Sequence, residues 1–361
     1  MKRVKKMPRR LRARELGIKI GEMETGRFNA ITDVEGVGVG HSTIIRGEGP
    51  LVVGEGPIRT VVTAIVPHRG NLYEEKVTAA VHVYNAYGKS VGLEQVRHLG
   101  TIETPILSTD TLNVWMVANA LIDYMHEAMG VRAPSINPIV GETNGGFLND
   151  SYGRHVRKQH VFEALEKALG PNGSGPVEEG NVGGGTPMSG YGFKGGIGTA
   201  SRVADFFTLG VLVQLNLGRR EDLMIDGAPV GKELSDIKAT STPGSNSIMV
   251  YVATDLDLTS RQLWRVARRA VLGLARTGSY GGCTSGDYVI AFSTGRKSVE
   301  GPRLDECQCL NPVFRATVEA TEEAVVNALF KAETMVGRDG NTRIGIPLER
   351  VREVMEKYGR L

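Results

Sequence analysis

Two spacings of apolar residues alternate along the chain. Period-two runs predict strands. The first, "AITDVEGVGVGHSTI" (Ala30 to Ile44), is interrupted by glycines. "RTVVTAIVP" (Arg59 to Pro67) is a short β-branched run ended by proline, and "FFTLGVLVQLNLG" (Phe206 to Gly218) is a core strand whose end carries Asn216. "SIMVYVAT" after Asn246 and "DYVIAFST" (Asp287 to Thr294) complete the set. Three segments carry the helical spacing instead. In Thr111–Met129, Trp115, Ala118, Leu121, Ile122 and Met125 form the predicted buried stripe, with Asp110 placed to cap the start. In Leu258–Gly278 the stripe is Leu263, Val266, Ala267, Ala270, Val271 and Leu274, with Thr259 or Ser260 as cap and Gly278 as stop. Asn311–Gly337 reads as one long helix. Strands and helices are mixed throughout and no composition break marks a linker. The pattern predicts one α/β domain over residues 1–361, with layered sheets and covering helices.

Bulk properties narrow the function classes. A chain of 361 residues can bury a sizeable core. No apolar run approaches the roughly 18 residues of a membrane span, so no membrane partner is expected. The net charge of +3 implies no partner by itself. Much of the basic excess lies in "MKRVKKMPRRLRAR", where no aromatic residue is interleaved. That favours a solvated terminus over a nucleic-acid arm. Cys283, Cys307 and Cys309 are too few for a disulfide framework or a four-ligand zinc site, which fits reduced thiols and a cytoplasmic location. The seven histidines form no compact ligand pattern; His155 and His160 sit in the basic run "GRHVRKQH", which reads as a solvated face. Nothing calls for a metal or an organic cofactor.

Candidate chemistry gathers at strand ends. The glycine-rich "GNVGGGTPMSGYGFKGGIG" lacks the Gly-Lys-Ser/Thr of a phosphate loop and the context of a dinucleotide fingerprint. It leaves two readings: backbone N–H groups aimed at an oxyanion, or tight turns between strands. A Ser-His-Asp triad has nothing to select its histidine. In "TSTPGSNSIMVYVATD" a Pro-Gly turn delivers Ser245 to the mouth of a core strand. Asn216 ends a second strand, where its carboxamide can donate to an oxyanion. Ser285 and Asp287, two residues apart in "CTSGDYVIAFST", open a third and share one side of an extended chain.

With these residues assembled, the chain resembles the DmpA-like aminopeptidases, the L-aminopeptidase/D-esterase and β-peptidyl aminopeptidase family. "ITDVEGVGVGHSTI", "VGETNGGFLND", "GNVGGGTPMSGYGFKGGIGTASR", "VLVQLNLGRREDLMIDGAPVG", "GSNSIMVYVATD" and "SGDYVIAFST" carry the resemblance in order over nearly the whole chain. It implies a four-layer α-β-β-α sandwich like that of N-terminal nucleophile hydrolases, with different connectivity, and a homo-oligomer, typically a tetramer. It also implies self-cleavage between Gly244 and Ser245, giving chains 1–244 and 245–361. Ser245 then becomes nucleophile and new N-terminus, supported by Ser285 and Asp287, with Asn216 as oxyanion donor. Short peptides, amino-acid amides or esters are the implied substrates, and Glu142 in "VGETNGG" is the candidate for their ammonium group, against a solvated loop acid or an arginine pair. Two positions depart from the family pattern. Phe147 stands where a tyrosine hydroxyl is expected, leaving Tyr152, Tyr191 or a glycine-loop N–H as substitutes. Cys283 precedes the Ser-Gly-acid motif and reads as a small buried residue. An acyltransferase on the same plan, or a weakly active binding relative, is the alternative.

Overall fold

The computed structural model describes residues 10–237, 246–297 and 310–361. Its strands are β1 (Gly38–Arg46), β2 (Ile58–Val66), β3 (Val77–Ala86), β4 (Thr101–Ile102), β5 (Ile106–Asp110), β6 (Ile139–Thr143), β7 (Ser189–Gly190), β8 (Phe193–Lys194), β9 (Gly196–Ala204), β10 (Phe207–Asn216), β11 (Asn246–Leu256), β12 (Ser285–Lys297), β13 (Met335–Val336) and β14 (Thr342–Arg343). The helices are α1 (Leu93–Leu99), α2 (Val114–Glu127), α3 (Lys158–Leu169), α4 (Val230–Glu233), α5 (Ser260–Arg276), α6 (Leu310–Lys331) and α7 (Leu348–Lys357).

Two large sheets stack. One has order β1-β2-β5-β6, the other β4-β3-β12-β11-β10-β9. Helices α2 and α3 cover the outer face of the first, α5 and α6 that of the second, so the layers run α-β-β-α. The alternation along β11 shows why this stack forms. Ile248, Val250 and Val252 pack with Val266, Ala270 and Leu329 of α5 and α6. Met249, Tyr251 and Ala253 point the other way, into the layer shared with Ile106 and Val140 of the facing sheet. A strand apolar on both faces needs a cover on each side. Each such side chain contributes about 1.5–3 kcal/mol relative to exposure.

Helix α5 follows its predicted pattern closely. Thr259 is the N-cap, its hydroxyl accepting from the Gln262 N–H while the Gln262 side chain reaches back. Val271 alone of the predicted stripe is only half-buried. Helix α2 departs from expectation. Its buried face is Val114, Val117, Ala120, Leu121, Tyr124 and Met125, whereas Trp115 and Ile122 are exposed. The two stripes share Leu121 and Met125 and differ by about one residue, or ~100°, of rotation. A 3₁₀ turn, Thr111–Asn113, precedes the helix and turns the valine stripe to the sheet. Asp110 makes no side-chain cap. Its carboxylate instead accepts from Gly145 N–H (2.7 Å), Asn149 Nδ2 (2.8 Å) and Ser151 Oγ (2.7 Å), fixing the loop after β6. Helix α6 ends at Lys331, short of Gly337. The Arg10 guanidinium takes the Phe330 carbonyl (2.7 Å), and the chain then forms the β13–β14 hairpin.

Candidate active site

Three strand ends meet at one edge of the six-stranded sheet. β10 runs antiparallel to β11 and pairs Asn216 with Ser247. β11 runs parallel to β12 and pairs Asn246 with Ser285 and Ile248 with Asp287. The last residue of β10 and the first residues of β11 and β12 therefore lie side by side. Gly244 and Ser245 lie outside the described residues, which resume at Asn246.

Ser285 and Asp287 are both buried, and the Ser285 hydroxyl donates to Asp287 Oδ1 at 2.6 Å. Their spacing puts both on one side of an extended strand, as the sequence indicates. Burial pushes the Asp287 carboxyl up to about 6, against the stabilising hydrogen bonds from Ser285 and the Ile248 N–H. The Ser285 carbonyl is held by Tyr87 N–H and Asn85 Nδ2, and Ser247 Oγ accepts from Gly286 N–H (3.1 Å). These partners come from remote segments, and no local pattern in the sequence marks them.

Asn216 is buried and its carboxamide is clamped at both ends. Oδ1 accepts from the Ser189 N–H (2.8 Å), and Nδ2 donates to the Asn144 carbonyl (3.0 Å). The other Nδ2 proton has no partner among the described residues. Ser189 is itself positioned by Arg343, whose Nε donates to its hydroxyl at 2.9 Å.

The glycine-rich segment takes the turn reading. Gly183 and Gly184 N–H groups donate to the hydroxyls of Thr43 and Thr63. A Cβ on Gly184 would stand 1.9 Å from Gln214 Oε1. That glutamine joins the sheets through Ser108, Thr109 and Thr143. Glycine is needed here for close approach between layers, and these N–H groups are occupied.

Phe147 lies under the Arg343 guanidinium, 3.8 Å from ring centroid to Cζ. The three candidate substitutes for a hydroxyl at this position differ in their surroundings. Tyr152 is 75% exposed. Tyr191 is buried with its hydroxyl on Thr277 (2.7 Å). In the glycine loop, Gly183 and Gly184 N–H are spent on threonines and Gly185 and Gly195 N–H on the Val182 and Met188 carbonyls.

Glu142 is no solvated loop acid, and among the described residues it pairs with no arginine. It is buried in β6, and Oε1 accepts from the Lys89 N–H at 2.8 Å with Lys89 Nζ at 3.9 Å. Oε2 makes no well-formed hydrogen bond among the described residues, with the Thr111 side chain its stabilising neighbour. Burial is the largest influence on this carboxyl and raises its pKa; Lys89 opposes it. Tyr288 and the Ala86–Gly92 loop beside Glu142 border a cavity of about 460 Å³ that also reaches Val83 and Leu93.

Two further expectations are corrected. His155 is buried and bonded to Asp150 at 2.8 Å, because its loop folds back on the one holding Gly54, whose N–H also binds Asp150. Cys283 is exposed, since it lies in the turn before β12 rather than in the strand. Among the described residues no histidine is hydrogen-bonded to a serine, and no group of three His, Cys, Asp or Glu side chains could hold a metal ion.

Comparison with known proteins joins these observations. The sequence profile of peptidase family S58 matches residues 29–343. The β-peptidyl aminopeptidase BapA of Sphingosinicella xenopeptidilytica is 42% identical, with 96% of this chain and 91% of the relative covered. The crystal structure of a Pyrococcus horikoshii OT3 protein superposes with a TM-score of 0.89 at 48% identity, covering 97% of this chain and 100% of that one. The L-aminopeptidase D-Ala-esterase/amidase of Ochrobactrum anthropi, described as a prototype serine aminopeptidase and a variant of the Ntn hydrolase fold, superposes with a TM-score of 0.85. It is 41% identical, with 97% and 99% of the two chains covered.

Proposed function

Because the chain belongs to peptidase family S58 and is a serine aminopeptidase, we propose that it matures by cutting itself between Gly244 and Ser245 and then releases N-terminal residues from short peptides, amino-acid amides and esters. The observation carrying this reading is the register that sets Asn216, Ser285 and the residue following Ser245 on adjacent strand ends. A homo-oligomer, a tetramer, and a cytoplasmic setting belong to the same proposal.

In maturation the Ser245 hydroxyl attacks the Gly244 carbonyl. The C–N bond breaks as the hydroxyl proton passes to the Ser245 nitrogen, the amide becomes an ester with a free α-amine, and water hydrolyses the ester. The freed α-amine, with an ordinary pKa near ~8, is partly neutral at working pH and can take the hydroxyl proton. In turnover Ser245 Oγ attacks the substrate's first carbonyl, and the amine passes the proton to the leaving nitrogen. Water then releases the acyl group. Asn216 Nδ2 donates its remaining N–H to the oxyanion. Ser285 and Asp287 hold the amine in place, with Asp287 as the anion facing a cation that forms during proton transfer. Glu142 receives the substrate ammonium.

Two outcomes test this reading. An alanine anilide with a free amine should be cleaved, and its N-acetyl derivative should not; equal rates would remove the ammonium contact. The pH profile tests the acid–base pair. Protonation of the amine silences the base, so log(kcat/KM) should fall with slope one below pH ~8. Asp287, pushed up to about 6, loses its charge below that pH, so the slope should steepen to two. D287N should lose the break near pH 6, while any steepening it keeps at lower pH reports Glu142, whose carboxyl burial also raises; an unchanged break would assign the second proton elsewhere.

A further inference from the structure

The carboxylate proposed for the substrate ammonium already faces a cation from its own chain. Lys89 Nζ stands 3.9 Å from Glu142 Oε1, an ion pair with no hydrogen bond between the two charges. The lysine side chain is 38% exposed, while Glu142 is 2% exposed. The strong contact to Oε1 comes from the Lys89 backbone N–H at 2.8 Å, which stays in place whatever the side chain does. Oε2 is buried and makes no well-formed hydrogen bond among the described residues; Thr111 is the one hydroxyl residue acting on this carboxylate, and Tyr251, whose hydroxyl leans on Ser108, lies nearby. A buried carboxylate oxygen with spare acceptor capacity costs stability and suits an incoming ammonium. In the same position Lys89 also borders an aromatic face, so moving off Glu142 need not leave it without a neighbour. The Lys89 Nζ is 5.8 Å from the centroid of the exposed Tyr87 ring, within the range of a cation–π contact. The Tyr87 N–H donates to the Ser285 carbonyl, so one short loop links Ser285 with Glu142.

We propose that Lys89 is an internal competitor for the substrate's ammonium: it neutralises Glu142 at rest and swings towards Tyr87 when a substrate amine takes the carboxylate. This rests on Glu142 being the ammonium acceptor. Two ammonium groups on one carboxylate repel each other, so every substrate amine must displace the lysine charge. Lys89 thereby sets the KM for substrates with a free amine without touching the reacting carbonyl. It is a specificity-determining residue, not a catalytic one.

The test compares Lys89→Met, Lys89→Arg and Glu142→Gln on an alanine anilide and on propionyl anilide, the same compound without the amine. Lys89→Met should lower KM for the alanine anilide about two- to fivefold, the range of a half-exposed ion pair. The change should fall on KM rather than kcat. Lys89→Arg should restore the wild-type KM, and propionyl anilide, which has no ammonium for Glu142, should stay at the limit of detection in wild type and Lys89→Met alike. Glu142→Gln should raise KM for the alanine anilide, and adding Lys89→Met to it should give no further gain. An unchanged or higher KM in Lys89→Met, with Glu142→Gln still raising KM, overturns the competitor role and leaves the ammonium site standing. An unchanged KM in Glu142→Gln overturns both. If Lys89→Met fails to fold, Lys89→Gln carries the same comparison.

Discussion

Replacing Ser245 by alanine should leave one uncut chain of 38.9 kDa with peptidase activity reduced at least ~10⁴-fold. The same hydroxyl is required twice, first against the Gly244 carbonyl and then against the substrate. The wild-type protein should give two fragments, the smaller beginning Ser245-Asn246-Ser247. The fold explains why the cut need not unfold it. β11 and β12, from the second fragment, are inserted between β3 and β10 from the first. Their ladders and both apolar faces hold across the break. Arg202 of β9 adds a buried link, reaching Glu319 (3.1 Å) and Glu323 (2.8 Å) of α6. Cut and uncut proteins should therefore unfold at similar temperatures. Intact mass, N-terminal sequencing and anilide hydrolysis check these expectations together. A cut S245A chain would mean another protease acts at this site. An uncut but active one would place the nucleophile elsewhere.

Much of this site was legible in the sequence because its elements are short-range. Asn216 closes a run of apolar alternation, and Ser285 and Asp287 open another at a spacing that fixes their shared side. The apolar pattern predicted layered sheets with covering helices, and the α-β-β-α order came from the family resemblance. What could not be read comes from contacts across the chain. The choice between two overlapping stripes on α2 was made by the turn before it and the sheet beneath it. Trp115 is larger than any of the valines that won. The burial of Glu142, its Lys89 partner and the Asp150–His155 pair all depend on loops meeting in space. Composition describes such loops as polar and says nothing of their packing. The glycine-rich segment was ambiguous for a related reason: glycine serves a close approach equally well whether the neighbour is a substrate or, as with Gly184, the Gln214 side chain.

Asn216→Ala should lower kcat by about 10²–10³, equivalent to roughly 3–4 kcal/mol of transition-state stabilisation, with a smaller change in KM. The carboxamide is held before substrate arrives. The Ser189 N–H grips Oδ1, and the Asn144 carbonyl takes one proton of Nδ2. That leaves a single oriented donor, already desolvated, which costs no reorganisation when negative charge develops. Alanine removes the donor and strands the Ser189 N–H, so a loss of about 1–3 kcal/mol in stability should accompany the kinetic effect. Asn216→Asp keeps an acceptor for the Ser189 N–H, but its second oxygen meets the Asn144 carbonyl to which Nδ2 donated, and it offers no N–H to an oxyanion. It should be at least as inactive as the alanine variant and should not recover its stability, because it buries an unpaired charge. The same oxyanion forms on the Gly244 carbonyl during maturation, so both substitutions should slow self-cleavage as well as turnover. Accumulation of uncut chain over time, followed beside anilide kinetics, measures the two effects in one preparation. Slow turnover with normal self-cleavage would assign the maturation oxyanion to a different donor, and a kcat loss below about tenfold would do the same for turnover.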